Sequence, residues 1–216
     1  MGVITFSREP CSGGTQVAEA VAAELGYRVV GKKTIEEVLI QYGFVGLKDA
    51  YDSKPNFWSR FDDETRQIVS MFDRVVLAAA KVGDVVIMGR GAFKVLERYR
   101  DALHVRIKCP FDCRVDIFMK RYGETNRGLA ETALREADKL RASYLETHYG
   151  VKKDSCAGFD LVIDTGKISP SAAVPLVIGA NRSVKGVAVR GDAKTTASIE
   201  ADKILLEAVR LVLAER

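Results

Sequence analysis

Val3-Ile4-Thr5-Phe6-Ser7-Arg8-Glu9-Pro10-Cys11-Ser12-Gly13-Gly14-Thr15-Gln16 is a short apolar, β-branched run that gives way to a glycine-containing loop. Val17, Ala20, Val21 and Leu25 then recur at helical spacing, so the segment reads as strand, loop and helix. Such a loop can hold phosphate. The first N–H groups of a helix lack intrahelical partners, the helix dipole favours anions there, and glycines let the backbone approach closely. Laid on the Walker pattern G-x-x-x-x-G-K-S/T, Arg8 takes the first glycine, Gly13 the second, Gly14 the lysine and Thr15 the hydroxyl residue. Two of the four fixed positions match, so the loop's placement between a first strand and an amphipathic helix carries more than its letters. A plain glycine turn joining strand to helix accounts for the same residues, and the loop alone leaves both readings open.

Outward from this unit, strands and helices alternate. Tyr27–Val30 predicts a second strand, and Thr34 with Glu37 three residues on predicts a capping box that opens a helix through about Tyr42. Residues 43–61 change character, with Gly43, Gly46, Pro55 and the aromatics Phe44, Tyr51, Phe57, Trp58 and Phe61, and read as a loop or irregular insertion. A helix is expected from Asp62 to Lys81. Asp84-Val85-Val86-Ile87-Met88 is too uniformly apolar to face water and suits a buried parallel strand, ended by Gly89-Arg90-Gly91. A helix near Ala92–Tyr99, a strand at Leu103–Lys108, a helix that Pro110 starts and that runs to about Arg121, and a long charged helix over about Arg127 to His148 follow. Asp160-Leu161-Val162-Ile163-Asp164 is the last clear strand, and Ser169-Pro170 caps the next helix. The alternation implies a parallel sheet covered by helices on both faces. Residues 180–216 differ, with a short strand expected at Val184–Val189 and a helix from about Ser198. The apolar face of that helix (Ile204, Leu205, Ala208, Leu211, Val212) must be buried against something.

At about 150 residues per domain, the 216 residues suit one sizeable domain or one domain with an appendage. A hydrophobic content of 47% and a charged content of 29% exclude a disordered or fibrous chain. The 33 Lys+Arg against 29 Asp+Glu leave +4, compatible with small anionic ligands and demanding neither a nucleic-acid nor a membrane partner. No apolar run approaches the roughly 18 residues of a membrane span, Met1–Ser7 lacks the flank and length of a signal peptide, and a cytoplasmic location is expected. Cys11, Cys109, Cys113 and Cys156 have no histidine or second pair at zinc spacing, so reduced thiols are expected.

Several segments recur in a telling order: Ile4-Thr5-Phe6-Ser7-Arg8 through Ser12-Gly13-Gly14, Ala18 and Leu25-Gly26, then Val85-Val86-Ile87-Met88-Gly89-Arg90-Gly91-Ala92. Asp138-Lys139-Leu140-Arg141 with Tyr144, and Asp160 to Thr165, complete it. Across most of residues 3–178 the chain resembles the cytidylate kinase-like family of P-loop nucleoside monophosphate kinases, with a variant loop. In that loop an "SR" and an "SGG" stand where ordinary kinases have Gly and Gly-Lys. The resemblance implies an α/β three-layer sandwich with a five-stranded parallel sheet in the order 2-3-1-4-5 and a nucleotide site at the strands' C-terminal edge. It implies a kinase-like domain over 1–179, with 43–61 as an acceptor-side insertion and the helix around 121–148 on the lid side. Residues 180–216 would then be a C-terminal extension ending in a helix, through which a homo-oligomer is left open.

Site roles follow from the same resemblance. Ser12, Gly13, Gly14, Thr15 and Gln16 would bind the phosphates of ATP, with the Thr15 hydroxyl reaching Mg2+. Arg90, at the end of a buried strand where open α/β sheets bind ligands, would hold the acceptor; the alternative is a surface arginine on a tight turn. Arg141 would close on the transferring phosphate, with Asp138 as its positioner or as an acceptor contact; a local ion pair between the two is the plainer reading. Arg114, Arg121, Arg127 and Arg135 add positive charge around the lid, and of these Arg121 and Arg135 are candidates for catalysis. Arg8, the cation inside the loop, is the candidate substitute for the Walker lysine, unless it pairs with Glu9, Glu36 or Glu37. His104 reads as core, and the aromatics of 44–61 as core or as an acceptor-base stack.

Phosphoryl transfer asks a protein for positioning and charge neutralisation, and these residues supply a sufficient kit. The expected function is transfer of the γ-phosphoryl of Mg-ATP to a small acceptor, a nucleoside monophosphate such as CMP or dCMP. The missing lysine, and the lack of an Asp closing Val85–Met88, motivate a second reading as a non-catalytic nucleotide-binding or regulatory protein with a degenerate loop. A nucleic-acid partner is not expected, since aromatic and basic residues are not interleaved.

Overall fold

A computed structural model of the chain describes residues 2–43, 63–152, 155–186 and 193–215. The β-branched apolar runs form five strands: β1 (Val3–Arg8), β2 (Arg28–Val30), β3 (Val85–Met88), β4 (Ala102–Lys108) and β5 (Leu161–Asp164). All pair in parallel, in the order β2-β3-β1-β4-β5. Parallel neighbours need a crossover between them, which the helices supply: α1 (Gly14–Leu25), α2 (Lys32–Gln41), α3 (Asp63–Val82), α4 (Ala92–Val95), α5 (Phe111–Tyr122), α6 (Arg127–Tyr149), α7 (Pro170–Gly186) and α8 (Lys203–Ala214).

Side chains alternate across a strand, and the two faces of the sheet make two cores. Ile4, Phe6, Val86, Leu103 and Val105 pack with Val17 and Val21 of α1 and Val177 of α7. Val3, Val85 and Ile87 pack with Ile35 of α2, Phe72 and Val75 of α3, and Leu205 and Val209 of α8. The fold is thus a three-layer α/β sandwich with β1 at its centre. Phe6 is in register with Met88, and Arg8 with Ile107, so the loop after β1 and the turn after β3 emerge side by side at the C-terminal edge.

Several local expectations are corrected. Thr34 does not cap α2, which starts at Lys32; its hydroxyl accepts from the Gly31 N–H and donates to the Val29 carbonyl from within the first turn. Pro110 is the cap of α5 and lies just outside it, and the helix near Ala92 ends at Val95. The strand expected at Val184–Val189 is absent as far as the description reaches. Instead α7 continues to Gly186 because Ala180 and Val184 extend the apolar stripe of Val174, Val177 and Ile178 onto the core. Residue 179 therefore falls inside a helix, and a boundary there would cut it. After a 3-10 turn at Thr196–Ser198, α8 begins at Lys203, capped by Asp202, whose carboxylate accepts from the Leu205 N–H. Leu205, Ala208, Val209, Val212 and Leu213 face the chain's own core, whereas Ile204 and Leu211 of the expected face are exposed. The aromatics at 44–61 lie outside the described residues.

Candidate active site

The loop between β1 and α1 turns through two left-handed residues, Cys11 (φ 58°) and Gly13 (φ 73°). A concave run of backbone N–H groups of this kind heads α1. Ser12 shapes it from inside: its hydroxyl donates to the Glu9 carbonyl (2.8 Å) and accepts from the Gly14 N–H (3.4 Å). Thr165, beyond β5, anchors it from outside by donating to the Ser12 carbonyl (2.7 Å). Gln16 is exposed on the first turn.

Arg8 crosses this loop instead of pairing with Glu9, Glu36 or Glu37. Its Nε donates to the Thr15 hydroxyl (3.3 Å), and its Nη1 lies against Gly89, where a Cβ would come within 2.9 Å of it. The side chain thus runs from the start of α1 to the turn after β3. There Arg90 also has a left-handed backbone (φ 56°), between Gly89 and Gly91, and its guanidinium lies over the Phe72 ring at 5.4 Å. Arg141 reaches the same place from α6. Arg8, Arg90 and Arg141 line one cleft of about 410 Å³ with Lys32, Phe6, Phe93, Leu140 and Tyr144. Burial, and next the charge of Arg90, push the Arg8 guanidinium below its ordinary range. Burial, and next Arg8, bring Arg141 down to about 10. The protein has gathered cations into a low-dielectric cleft where they repel one another, which is the electrostatic signature of an anion site.

Asp138 is not the local partner of Arg141. Both of its oxygens are taken by Arg114, at 3.0 and 2.9 Å, in a bidentate pair across the α5–α6 hairpin. Arg114 is 6% exposed, also donates to the Cys109 carbonyl, and stands 3.7 Å from Glu9. Glu9 in turn accepts from the Cys109 N–H (2.9 Å) and lies 3.8 Å from Arg106. The network ties the glycine loop to the α5–α6 hairpin, so Asp138 holds Arg114 and the hairpin rather than offering an open carboxylate to an acceptor. A buried ion pair that loses one member leaves an uncompensated charge. Asp138→Ala is therefore expected to lower folding stability by about 3 kcal/mol, read from the midpoint of urea unfolding.

The other two candidates sit further out. Arg135 is 67% exposed, stacks over Phe111 at 4.4 Å and pairs loosely with Glu131. Arg121 is exposed over Tyr122, although its charge is felt at Cys11 in the loop. His104 is core as expected, hydrogen-bonded to Thr5 at 2.9 Å. Among the described residues no cluster of His, Cys, Asp or Glu could hold a metal, and the four cysteines are free thiols. The donor this chain would offer magnesium is the Thr15 hydroxyl oxygen.

Residues 3–167 match the model of the cytidylate kinase-like family. The chain belongs to that family. Among curated relatives, it is 29% identical over 177 residues to the cytidylate kinase of Pyrobaculum neutrophilum, covering 81% of this chain and 89% of the relative. Among solved structures, an uncharacterized protein from Eubacterium ventriosum superposes with a TM-score of 0.68 at 20% identity, over 85% of this chain and 99% of that one. Shikimate kinase from Bacteroides thetaiotaomicron follows with a TM-score of 0.51 at 11% identity, over 84% and 98%. These likenesses place the family member's fold among the P-loop kinases. No helix among the described residues is long and apolar enough to cross a membrane.

Arg114 was read only as charge around the lid and Glu9 only as a possible partner of Arg8; their network with Asp138 and Cys109, and the Tyr149–Asp73 contact beside Arg90, escaped the sequence reading. Their partners are far apart in the chain, and only a 100-, 24- or 76-residue closure brings them together. The one local sign was Glu9 next to Arg8.

Proposed function

We propose that this protein transfers the γ-phosphoryl group of ATP, taken as its magnesium complex, to a nucleoside monophosphate such as CMP or dCMP. The convergence of Arg8, Arg90 and Arg141 on one cleft beside the glycine loop carries this reading; family membership and the names of the curated relatives support it. In the mechanism, the loop N–H groups of Gly13 to Gln16 would cradle the donor phosphates, and the Thr15 hydroxyl oxygen would hold the magnesium that travels with them, whose charge would offset that of the phosphates. Arg8 spans from Thr15 to the acceptor side and neutralises charge between donor and acceptor. Arg90 holds the acceptor phosphate, and Arg141 closes on the group in flight. Phe6, Phe93 and Leu145 give the cleft apolar walls that strengthen each of these contacts.

Gly14 in the lysine position favours a second reading, nucleotide binding without turnover. A panel of the nucleoside monophosphates with Mg-ATP separates the two. Turnover of one cytidine acceptor is the expected result; ATP binding without turnover of any acceptor gives the regulatory reading, and no ATP binding rejects both. Because anions relieve the repulsion among the arginines, the productive acceptor at about 100 times its Kd should also raise Tm by about 5 °C or more in a thermal melt.

A further inference from the structure

Tyr149 ends α6, and its hydroxyl is surrounded by three oxygens: Asp73 Oδ1 at 2.7 Å, the Arg90 carbonyl at 3.0 Å and Tyr144 Oη at 3.4 Å. Its ring lies against Gly91, where a Cβ would clash with the ring edge. Gly89, Arg90 and Gly91 are three successive residues at positive φ (77°, 56° and 67°). A non-glycine residue is strained there and persists when its surroundings hold it. Tyr149 contributes to that hold through its contact with the Arg90 carbonyl.

Counting protons makes that contact conditional. A tyrosine hydroxyl carries one proton and accepts through its lone pairs. When Asp73 is ionised, its carboxylate takes the Tyr149 proton in the shorter, charge-assisted bond, and the Arg90 carbonyl faces a lone pair. When Asp73 is protonated, it donates to Tyr149 Oη, the Tyr149 proton passes to the Arg90 carbonyl, and Tyr144 donates to the remaining lone pair. All three oxygens around Tyr149 are then matched.

We propose that Tyr149 is the positioning residue for Arg90, holding the acceptor-side turn through a hydrogen bond that exists only while Asp73 carries a proton. The role of Arg90 toward an acceptor rests on the function proposed above; the proton-dependent bond does not. Burial pushes the Asp73 carboxyl up to about 6 against the opposing hydrogen bond from Tyr149, and burial raises the Tyr149 phenol, which keeps its proton throughout. Among the described residues, Tyr149 touches Asp73, Tyr144 beside it feels the charges of both Asp73 and Arg90, and Lys94, Glu97 and Arg98 line the groove that Asp73 and Tyr149 share. From the other side α2 and α8 meet α3 through apolar residues.

The test uses the full chain and two variants. Tyr149→Phe keeps the ring against Gly91 and removes the bond at every pH. Asp73→Asn supplies a carboxamide donor to Tyr149 and keeps the bond at every pH. In the free protein, the Gly91 amide resonance, which follows the Arg90 carbonyl, should titrate with a midpoint near the Asp73 value in wild type and stay flat in both variants. A flat wild-type profile, or a titration that survives in Asp73→Asn, overturns the proposal. With turnover, the acceptor phosphate itself titrates near pH 6, so each variant is compared with wild type at the same pH. The acceptor KM of Tyr149→Phe should exceed wild type by roughly fivefold at pH 5 and match it at pH 8, the scale of one hydrogen bond. Wild type should exceed Asp73→Asn by a similar factor at pH 8 and match it at pH 5, with kcat unchanged in each comparison. KM ratios that do not depend on pH overturn it. An amide titration as expected, in a protein that turns over no acceptor, rejects the phosphotransferase reading and leaves the proton-dependent bond standing.

Discussion

Arg8→Ala is expected to reduce ATP-dependent phosphoryl transfer by about 100-fold, the scale of losing one positioned electrostatic donor, with folding stability changed by far less. The expectation rests on where Arg8 is held. Its Nε is 3.3 Å from the Thr15 hydroxyl, and its far end lies against Gly89 in the turn after β3. A guanidinium presents several donors in one plane, so a single side chain can serve both the phosphate loop and the cleft. Burial and the charge of Arg90 penalise the cation in the cleft, so removing it costs the folded state little and relieves some repulsion. Arg182→Ala, exposed on α7, controls for loss of a positive charge. Equal small losses of kcat/KM in both variants, or unfolding of Arg8→Ala alone in urea, would remove Arg8 from the mechanism.

The strand order came with the family resemblance, whereas the alternation of strands and helices, and with it the layers, was legible because the strands are rich in apolar β-branched residues and the crossovers are amphipathic helices. Such local signals need no knowledge of partners. Boundaries were less so: Val184 looked like a strand because β-branched residues favour strands, yet it lies on the helical stripe that begins at Val174. At the site, residues read from one short segment fared better than those read as neighbours. Ser12, Gly13 and Thr15 come together as the loop pattern implies. Asp138 and Arg141, three apart on one helix, looked like each other's partners. The bidentate reach of Arg114, arriving from α5, outcompetes that one-turn pair. A spacing of three or four states which side chains share a helix face, and it is silent about what the facing helix brings.

Gly14→Lys, which would restore the Walker lysine by letter, is expected to abolish activity rather than improve it. A Cβ at residue 14 would stand 2.6 Å from the Arg8 Cβ and 3.0 Å from the Ile107 Cβ. These are the roots of side chains on β1 and β4, in register with each other at the centre of the sheet, and neither can swing away as a flexible tip would. The loop or the strands must shift, at an overpacking cost of about 1–3 kcal/mol. A shift of that kind displaces the N–H groups at the head of α1, so kcat/KM should fall by more than the loss from Arg8→Ala. A side chain at residue 14 would compete with that of Arg8 for the same space, so the two positions are expected to be coupled. Arg8→Gly removes the worst of these contacts and also restores the first glycine of the pattern. The double variant Arg8→Gly/Gly14→Lys should recover activity relative to Gly14→Lys alone by at least tenfold, a coupling of about 1.4 kcal/mol between positions in contact. Additive losses in this double-mutant cycle would mean that the arginine and the lysine do not compete for one place in the loop.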